Sequence, residues 1–249
     1  MNNHWVIGKH AVTAFLAVSP ERVLTAFAVE PQGSLPKEIG DTLAQHSIRV
    51  TQLDKRALSE KVESDRHQGI ALEVKPRQTE NEQALFARIS SEQEKTDWLF
   101  LILDQVKDPH NLGACLRTAA AAGADAVIIP KDNAAPLNAT VRKVASGAAE
   151  IIPVYAVTNL RRTLQGLKDA GIWLLGTSDR AKTGLYQQDL TGNVALILGA
   201  EDVGLRRITE AECDVMLRLP MSESVVSSLN VSVAAGVCLY EALRQRVES

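Results

Sequence analysis

The chain has 249 residues, of which 45% are hydrophobic and 23% charged, and its formal net charge is −3. This is the composition of an ordinary soluble protein with one large domain or two smaller ones, and no apolar run reaches the ~18 residues that a bilayer-spanning helix needs. The negative net charge argues against nucleic-acid binding through bulk electrostatics, so any contact with RNA or DNA must be local.

The cysteines and the N-terminal residues indicate a compartment. Cys115, Cys213 and Cys238 lie far apart and form no CxxC pair, which argues against a zinc ribbon or a disulfide framework. We therefore expect no metal site. The first residues lack a basic segment followed by an apolar one, so we expect no secretory signal. Together these features predict a cytoplasmic protein.

The first 75 residues alternate between helical and strand patterns. Helical spacing of apolar residues occurs at 11–18 and 39–48, and strand-like patterns occur at 23–30, 48–54 and 69–75. Such alternation predicts a small domain in which helices pack on a sheet.

A polar segment separates this region from the rest of the chain. Residues 76–97 begin with Pro76 and are rich in Glu and Gln, so we expect a linker containing one short helical turn around Leu85 and Phe86. The predicted domains are therefore 1–75 and 98–249. His67, Gln68 and Gly69 precede a strand and are expected to form a turn.

The larger region alternates buried strands with helices. The predicted strands are 98–104, 126–130, 152–157, 172–177, 194–199 and 214–220, and the predicted helices are 111–123, 137–147, 159–171 and 228–246. Near-continuous apolar strands separated by helices predict a parallel sheet that is covered on both faces. Ligands of such sheets bind at the carboxyl ends of the strands.

The first strand end leads into LDQVKDPHNLGACLRT, residues 103–118. Asn111 lies near a predicted helix start, where an N-cap is one interpretation and a functional role is the other. Arg117 lies about 120° away around the same helix. An arginine in a helix of small residues needs an anionic partner or a route to solvent.

Two further strand ends carry polar residues. Gly199 and Gly204 flank Glu201, and a glycine at a strand end allows a ligand to approach the backbone, although a plain turn explains this pattern equally well. Residues 222–230 contain four serines, a glutamate and an asparagine. Ser228 is expected to cap the last helix, with Asn230 in its first turn, which explains one serine but not the others.

Several common enzyme classes are excluded by their motifs. A nicotinamide or flavin enzyme would need GxGxxG after the first strand, where this chain has DQVKDPHNLG. The P-loop, HExxH and GxSxG motifs are absent as well. Three basic pairs are either local RNA contacts or solvated helix faces: Arg142 and Lys143, Arg161 and Arg162, and Arg206 and Arg207.

Taken together, three segments resemble a known family. NLGACLRTA, ILGAEDVGL and LPM…SSLNVSVAAG occur in the order and at the distances of the three motifs of the SpoU RNA 2′-O-ribose methyltransferases. GKHAV, HQGIALEVKP, LNATVRKVASGAAE and the RQR ending extend the similarity over nearly the whole chain, toward members that methylate a guanosine of 23S rRNA.

The resemblance implies an α/β fold with two parts. The C-terminal parallel-sheet domain would be a SPOUT domain whose last segment forms a trefoil knot, a topology that physical reasoning alone would not predict. The small N-terminal domain would resemble ribosomal protein L30e and help to select the RNA. The enzyme would be a homodimer, and its substrate would be a guanosine in the peptidyl-transfer region of 23S rRNA or of a large-subunit precursor.

The resemblance also implies a cofactor and a set of site residues. The cofactor would be S-adenosylmethionine, framed by Gly199, Leu219 and Leu229 with Gly176 and Thr177 nearby. The residues implied to be catalytic are Asn111, Arg117, Glu201, Ser228 and Asn230.

Family proposals make the arginine of the first motif the activator of the hydroxyl. Because arginine does not release its proton, we instead expect Arg117 to stay charged, bind a substrate phosphate and stabilise the developing alkoxide. Asn111 and Glu201 would hold Arg117 and its loop, and Ser228 and Asn230 would orient the ribose or the helix start.

Three alternatives remain open. The same chemistry could act on tRNA, since motifs of a catalytic domain do not choose the RNA, and the fold could belong to a non-catalytic RNA-binding assembly factor. On the last helix, a stripe of small residues could be either core or dimer interface, and the resemblance favours the interface. That stripe consists of Val231, Ala235, Cys238 and Ala242, with Leu239 and Leu243 beside it.

Overall fold

The structure is a computed structural model that describes residues 4–29, 35–200, 203–222 and 228–248. It divides into two compact units. The smaller comprises Met1–Arg77 together with Ser146–Ile151, and the larger comprises Gln78–Ala145 together with Ile152–Ser249. No described helix is both long enough and apolar enough to span a bilayer.

The elements alternate along the chain. The strands are β1 (His4–Ile7), β2 (Val23–Val29), β3 (Val50–Leu53), β4 (Ile70–Val74), β5 (Leu99–Asp104), β6 (Ala126–Pro130), β7 (Val154–Val157), β8 (Trp173–Thr177), β9 (Thr183–Gly184), β10 (Val194–Gly199) and β11 (Val215–Arg218). The helices are α1 (Lys9–Val18), α2 (Lys37–Gln45), α3 (Lys55–Val62), α4 (Glu82–Ser91), α5 (Pro109–Ala121), α6 (Ala139–Ala145), α7 (Ala148–Ile151), α8 (Leu160–Asp169), α9 (Arg207–Glu210) and α10 (Val231–Glu248).

The smaller unit is built on a mixed sheet with the order β1-β4-β2-β3. β2 pairs with β3 in parallel and with β4 antiparallel. The apolar faces of α1 and α2 bury Phe15, Ile39 and Leu43 against this sheet. The predicted helices and strands of this region are therefore confirmed, whereas β1 and α3 were not predicted. β1 is only four residues long, and α3 is mostly polar, so neither has a clear periodic pattern.

A buried ion pair ties α7 into the smaller unit. Arg22 Nη2 lies 2.7 Å from a Glu150 carboxylate oxygen, and the Arg77 backbone N–H donates to the same oxygen at 2.6 Å. The Arg22 guanidinium also donates to the carbonyl oxygens of Glu150 and Lys75. Because the Glu150 side chain is only 3% exposed, these contacts are what allow its charge to be buried.

The larger unit has a seven-stranded sheet with the order β7-β6-β5-β10-β8-β11-β9. Every neighbouring pair is parallel, as the sequence predicts. All six residues of β5 are buried, which explains why its sequence shows no apolar–polar alternation. The chain runs from β5 outward to β7, then returns to the other side of β5. The strand order therefore reverses between β5 and β10.

Helices cover both faces of this sheet. α4 and α8 pack on one face through Leu85, Leu164 and Leu167, next to Phe100 and Ile102 of β5. α5 and α10 pack against each other, α5 against β6 and α10 against β10. Within the segment expected to be a linker, the structure has the ten-residue helix α4 and places residues 78–97 in the larger unit. Half of the residues of α4 are polar, and its one fully buried residue is Leu85, so the sequence pattern showed only a short helical turn.

The last helix differs from the prediction in two ways. It begins at Val231 rather than at Ser228. The small-residue stripe is core, because Val231, Ala235, Cys238 and Ala242 are at most 4% exposed within the single chain. The assignment of this stripe to a dimer interface is therefore wrong. Small side chains at these positions let α10 lie close to α5 and β10.

Arg246 fixes the end of α10. Its guanidinium donates to the carbonyl oxygens of Leu190, Gly192, Asp97 and Trp98, which precede β10 and β5. Partial burial lowers the pKa of Arg246, against the opposing effect of nearby Asp97 and Asp125. The C-terminal end of the helix is thus held at the amino edge of the sheet, and its start lies at the carboxyl edge.

Candidate active site

The carboxyl ends of β5 and β10 lie side by side at the point where the strand order reverses. Asp104, the last residue of β5, is in register with Gly199, the last residue of β10. β8 adjoins β10 on the other side and ends at Thr177, whose hydroxyl donates to the Ile197 carbonyl at 3.3 Å. In parallel sheets such a position is where ligands bind.

The start of α5 is capped by Asp108 and not by Asn111. The Asp108 carboxylate accepts a hydrogen bond from the His110 backbone N–H at 2.9 Å, and Pro109 occupies the first helical position. Asn111 lies inside the first turn, and its side chain is only 8% exposed. The interpretation of Asn111 as an N-cap is therefore wrong, and its buried amide requires another role.

That role includes a direct contact between the first and third motifs. Asn230 Nδ2 donates to Asn111 Oδ1 at 3.1 Å, across 119 positions of sequence. Asn230 Oδ1 accepts from the Ser232 backbone N–H at 2.9 Å, and the Asn230 carbonyl accepts from Ala234. Asn230 thus caps α10 and at the same time joins it to α5, whereas the cap was predicted at Ser228, which is exposed.

Arg117 lies six residues further along α5 and is exposed. This answers the question that the sequence raises, because the guanidinium reaches solvent while the neighbouring Cys115 and Leu116 are fully buried. The opposite burial of Asn111 and Arg117 agrees with their predicted separation around the helix.

The loop after β10 folds back onto the strand end. Gly204 has a φ of 67° and donates its N–H to the Ala200 carbonyl at 2.8 Å. A Cβ on Gly199 would lie 2.0 Å from the backbone carbon of Gly204, so no side chain fits at this position. The sequence anticipated the glycine requirement, but the close neighbour is the protein's own backbone. Glu201 lies outside the described residues.

The loop returns to β5 through an ion pair that the sequence analysis missed. Arg206 Nε donates to both carboxylate oxygens of Asp104, at 2.8 and 3.1 Å, and Arg206 Nη2 lies 2.7 Å from Oδ1. The only sequence signal is an aspartate at the end of an otherwise apolar strand, which resembles an ordinary strand terminus.

Backbone groups suited to a polar ligand lie at the same edge. Leu219 follows β11 and Leu229 precedes α10, and both are partly buried. Within the described part of the chain their backbone N–H and C=O groups make no hydrogen bond to other residues. Partly buried backbone groups without protein partners fit the adenine and amino-acid groups of S-adenosylmethionine, which carry both donors and acceptors.

Two thiols of the larger unit, those of Cys213 and Cys238, are unreactive. Burial and the negative charges of Asp214 and Glu210 raise the pKa of Cys213 to about 12, and burial alone raises that of Cys238 to about 12. Neither forms a thiolate at neutral pH, so neither is suited to act as a nucleophile.

A second polar cluster lies in the smaller unit, at the connection between β1 and α1. The Lys9 backbone N–H donates to Gln68 Oε1 at 2.9 Å, which joins the GKHAV segment to the turn at His67–Gly69. His67 is 1% exposed, and its Nδ1 accepts from the Gly69 N–H at 3.0 Å. Lys9, His10, Thr13, Glu38 and Gln68 line an open depression of about 840 Å³.

The predicted site residues therefore have different outcomes. Asn111 and Asn230 are in direct contact, and Gly199, Leu219 and Leu229 flank the carboxyl edge with Arg117 on the adjoining helix. Ser228 is exposed, and within the described part of the chain no hydrogen bond joins it to the other predicted residues. Their roles in binding and catalysis remain predictions.

Comparison with known proteins gives matches over the whole length. Residues 98–240 match the model of the SpoU rRNA Methylase family, and residues 5–80 match a model described as RNA 2′-O ribose methyltransferase substrate binding. A Pseudomonas aeruginosa protein named 23S rRNA (guanosine-2′-O-)-methyltransferase RlmB is 52% identical, with 97% of this chain and 96% of that protein aligned. A Vibrio cholerae protein of the same name is 46% identical over 99% of both chains.

A solved structure shows the same fold. The SpoU methyltransferase AviRb from Streptomyces viridochromogenes, in complex with the cofactor AdoMet, superimposes with a TM-score of 0.69 at 23% identity. The superposition covers 99% of this chain and 92% of that one. The family model and the full-length relatives both match this chain, which therefore belongs to the SpoU rRNA methylase family.

Proposed function

We propose that this chain transfers a methyl group from S-adenosylmethionine to the ribose 2′-hydroxyl of a guanosine in 23S rRNA. The observation that carries this proposal is the extent of the match to relatives whose names specify that reaction. They align over 97% or more of the chain at 46–52% identity, so both units are included. A match confined to the larger unit would support methyl transfer but would leave the RNA open.

The smaller unit supports an RNA substrate. Residues 5–80 match a substrate-binding model of RNA 2′-O ribose methyltransferases. The same residues contain the depression lined by Lys9, His10 and Gln68, where donors and acceptors are exposed on a surface that two segments build together. We propose that this surface contacts the RNA and that the larger unit carries out the reaction.

Bound S-adenosylmethionine supplies an electrophilic methyl group on a positively charged sulfur. The residues of this chain must then position the 2′-hydroxyl and stabilise the charge that develops on its oxygen. We assign the backbone groups of Gly199, Leu219 and Leu229 to cofactor binding. Arg117 is exposed on α5, and we assign its guanidinium to binding a phosphate and stabilising the developing alkoxide.

Asn111 and Asn230 have a positioning role in this scheme. Their hydrogen bond joins the first turn of α5 to the start of α10, so it sets the spacing between the first and third motifs. Glu201 and Ser228 complete the proposed set. Glu201 is assigned to holding Arg117 and its loop, and Ser228 to orienting the ribose.

We further propose that the chain forms a homodimer through the outer face of α10. We also propose the trefoil knot and the cytoplasmic location that are expected for this family. Val233, Tyr240 and Val247 follow one another at intervals of seven residues, and all are more than half exposed. Residues seven apart lie on one face of a helix, so they form an apolar stripe opposite the buried one. Tyr240→Asp should shift the protein from dimer to monomer in sedimentation velocity. A wild-type chain that already sediments as a monomer would contradict this interface.

One assay tests the proposed reaction. The purified full-length chain is incubated with S-adenosylmethionine labelled in the methyl group and with 23S rRNA from cells that lack this modification. We expect label in one guanosine of 23S rRNA, on the 2′-oxygen, located by nuclease digestion and mass spectrometry. Bulk tRNA run in parallel would carry the label instead if the enzyme were tRNA-directed. Cofactor binding without transfer to either RNA would favour a non-catalytic assembly factor.

A further inference from the structure

Asp104 and Arg206 form an ion pair at the proposed site, and its carboxylate is fully buried. The Asp104 side chain is 0% exposed and that of Arg206 is 32% exposed. Besides the guanidinium contacts, the Arg206 backbone N–H donates to Asp104 Oδ2 at 3.3 Å. An isolated carboxylate at such a position would be strongly unfavourable, so Asp104 determines where Arg206 lies.

The pair closes the loop that leaves β10. Gly199 is in register with Asp104 at the start of this loop, and Arg206 returns to the same aspartate at its end. Both ends of residues 199–206 are therefore attached to the last residue of β5. Between these ends an antiparallel bridge joins Ala200 and Gly204.

Gly204 and Leu205, which follow β10 in the chain, pack tightly against the ends of the strands. A Cβ at Gly199 would lie 2.3 Å from the backbone nitrogen of Leu205. A Cβ at Gly176, in β8, would lie 2.9 Å from Leu205 Cδ1 and 2.7 Å from Cys213 Sγ. A displacement of Arg206 would therefore move the segment that lies directly on the ends of β10 and β8.

We propose that Asp104 and Arg206 are a positioning pair for cofactor binding. By holding Gly204, Leu205 and Arg206 against the strand ends, they keep the Gly199 side of the site in the conformation that binds S-adenosylmethionine. Neither residue contacts the reacting atoms, so neither is a catalytic residue. This inference rests on the proposed function, because it assigns the pair to the cofactor site of that reaction.

The decisive measurement is binding of S-adenosylhomocysteine, the product form of the cofactor, by isothermal titration calorimetry without RNA. We expect Asp104→Asn and Arg206→Met each to weaken binding at least about tenfold. Because both substitutions remove the same interaction, the double variant should bind no more weakly than the weaker single variant. Arg207→Met is the matched control. Arg207 is exposed, and within the described residues its guanidinium has no ion pair, so wild-type affinity is expected.

A merely structural role would give a different result. If the variants unfolded at lower temperature but bound the cofactor with wild-type affinity, the proposal would be overturned. In methyl transfer, the cofactor KM should rise while kcat at saturating cofactor stays within about twofold of wild type, and a fall in kcat alone would contradict positioning.

Arg206→Met leaves the buried carboxylate of Asp104 without its partner, so a second variant is needed. Arg206→Lys keeps the positive charge but loses the bidentate geometry, and we expect it to bind S-adenosylhomocysteine with intermediate affinity. Wild-type affinity in Arg206→Lys would overturn the bidentate role. Failure of the wild-type chain to bind S-adenosylhomocysteine would contradict the proposed function itself, whereas unchanged affinity in the variants contradicts only the pair.

Discussion

At the scale of single residues, position decides which polar groups can take part in chemistry. Asn111 and Arg117 belong to the same helix, yet Asn111 is 8% exposed and hydrogen-bonded to Asn230, while Arg117 reaches solvent. The buried amide is suited to holding two helices in place. The exposed guanidinium is suited to meeting a charged substrate.

Arg117→Lys tests whether the guanidinium acts through its planar, two-point geometry. We expect methyl transfer to fall at least about tenfold, because lysine keeps the charge but cannot bind an oxyanion in bidentate fashion. Cofactor affinity should stay unchanged. Single-turnover transfer to rRNA measures the first effect and calorimetry the second. Arg56→Lys is the control, because Arg56 is exposed and pairs with Glu60 on the surface of α3. Nearly full turnover by Arg117→Lys would contradict the bidentate role.

His67 predicts a pH dependence in the smaller unit. Burial and the charge of Lys55 lower the pKa of His67, against the opposing charge of Asp65. A group whose pKa is lower in the folded state contributes stability above its unfolded pKa of about 6.5, and that contribution is lost as pH falls toward the folded value. The geometry agrees, since protonation of Nδ1 would remove the acceptor for the Gly69 N–H.

We therefore expect the smaller unit to lose stability as pH falls below the unfolded pKa of about 6.5 toward the lowered folded pKa of His67. Hydrogen exchange of the β4 amides, corrected for intrinsic rates, measures this change. His67→Gln should show a weaker pH dependence, whereas His46→Gln, at an exposed position, should behave like wild type. An identical pH dependence in wild type and His67→Gln would show that another group is responsible.

At the scale of elements, close contact between helices depends on small residues that the sequence pattern does not explain. A Cβ at Gly113 of α5 would lie 2.7 Å from Val144 Cβ and 2.8 Å from the Val141 carbonyl oxygen of α6. This glycine lies between the predicted Asn111 and Arg117, so the packing of α5 on α6 also determines where these two side chains lie.

Gly113→Ala should destabilise the larger unit by ~1–3 kcal/mol, because the added methyl group forces α5 and α6 apart. Thermal unfolding measures the effect. Gly40→Ala in α2 is a matched control, since among the described residues no atom outside its own stretch of helix lies within 4 Å of its Cβ position. There the substitution should be neutral or stabilising by up to ~1 kcal/mol, because alanine favours helix more than glycine does. Equal effects at both positions would argue against the close contact.

At the scale of the whole molecule, the folded units are not continuous in sequence. Residues 146–151 follow α6 of the larger unit but belong to the smaller one, where Glu150 pairs with Arg22 and accepts from the Arg77 N–H. A boundary drawn from composition cannot detect this, because the contact joins residues 128 positions apart.

Glu150→Ala should destabilise the smaller unit by ~3–5 kcal/mol, because it leaves the largely buried Arg22 without its carboxylate partner. Glu60→Ala breaks an ion pair whose side chains are 90% and 67% exposed, so it should cost at most ~1 kcal/mol. Hydrogen exchange of β2 and β4 distinguishes the two. A small effect of Glu150→Ala would mean that α7 is not required for the smaller unit.

The sequence by itself determined the elements whose burial is uniform or periodic, together with the family. The six buried residues of β5 and the helical spacing of α5 and α8 were readable, because local pattern reflects which faces are buried. Motif order and spacing identified the SpoU family, and the site residues that they imply stay predictions. α3 and α4 were missed or shortened, since their polar residues obscure a narrow apolar face.

Only the tertiary structure decided which groups meet. Asn111 as a buried partner of Asn230, Arg206 as the partner of Asp104, and Glu150 as part of the smaller unit each join residues more than 100 positions apart. The small-residue stripe of α10 became core for the same reason. A buried polar or charged group must find its partner in three dimensions, and local sequence contains no record of which distant segment will supply it.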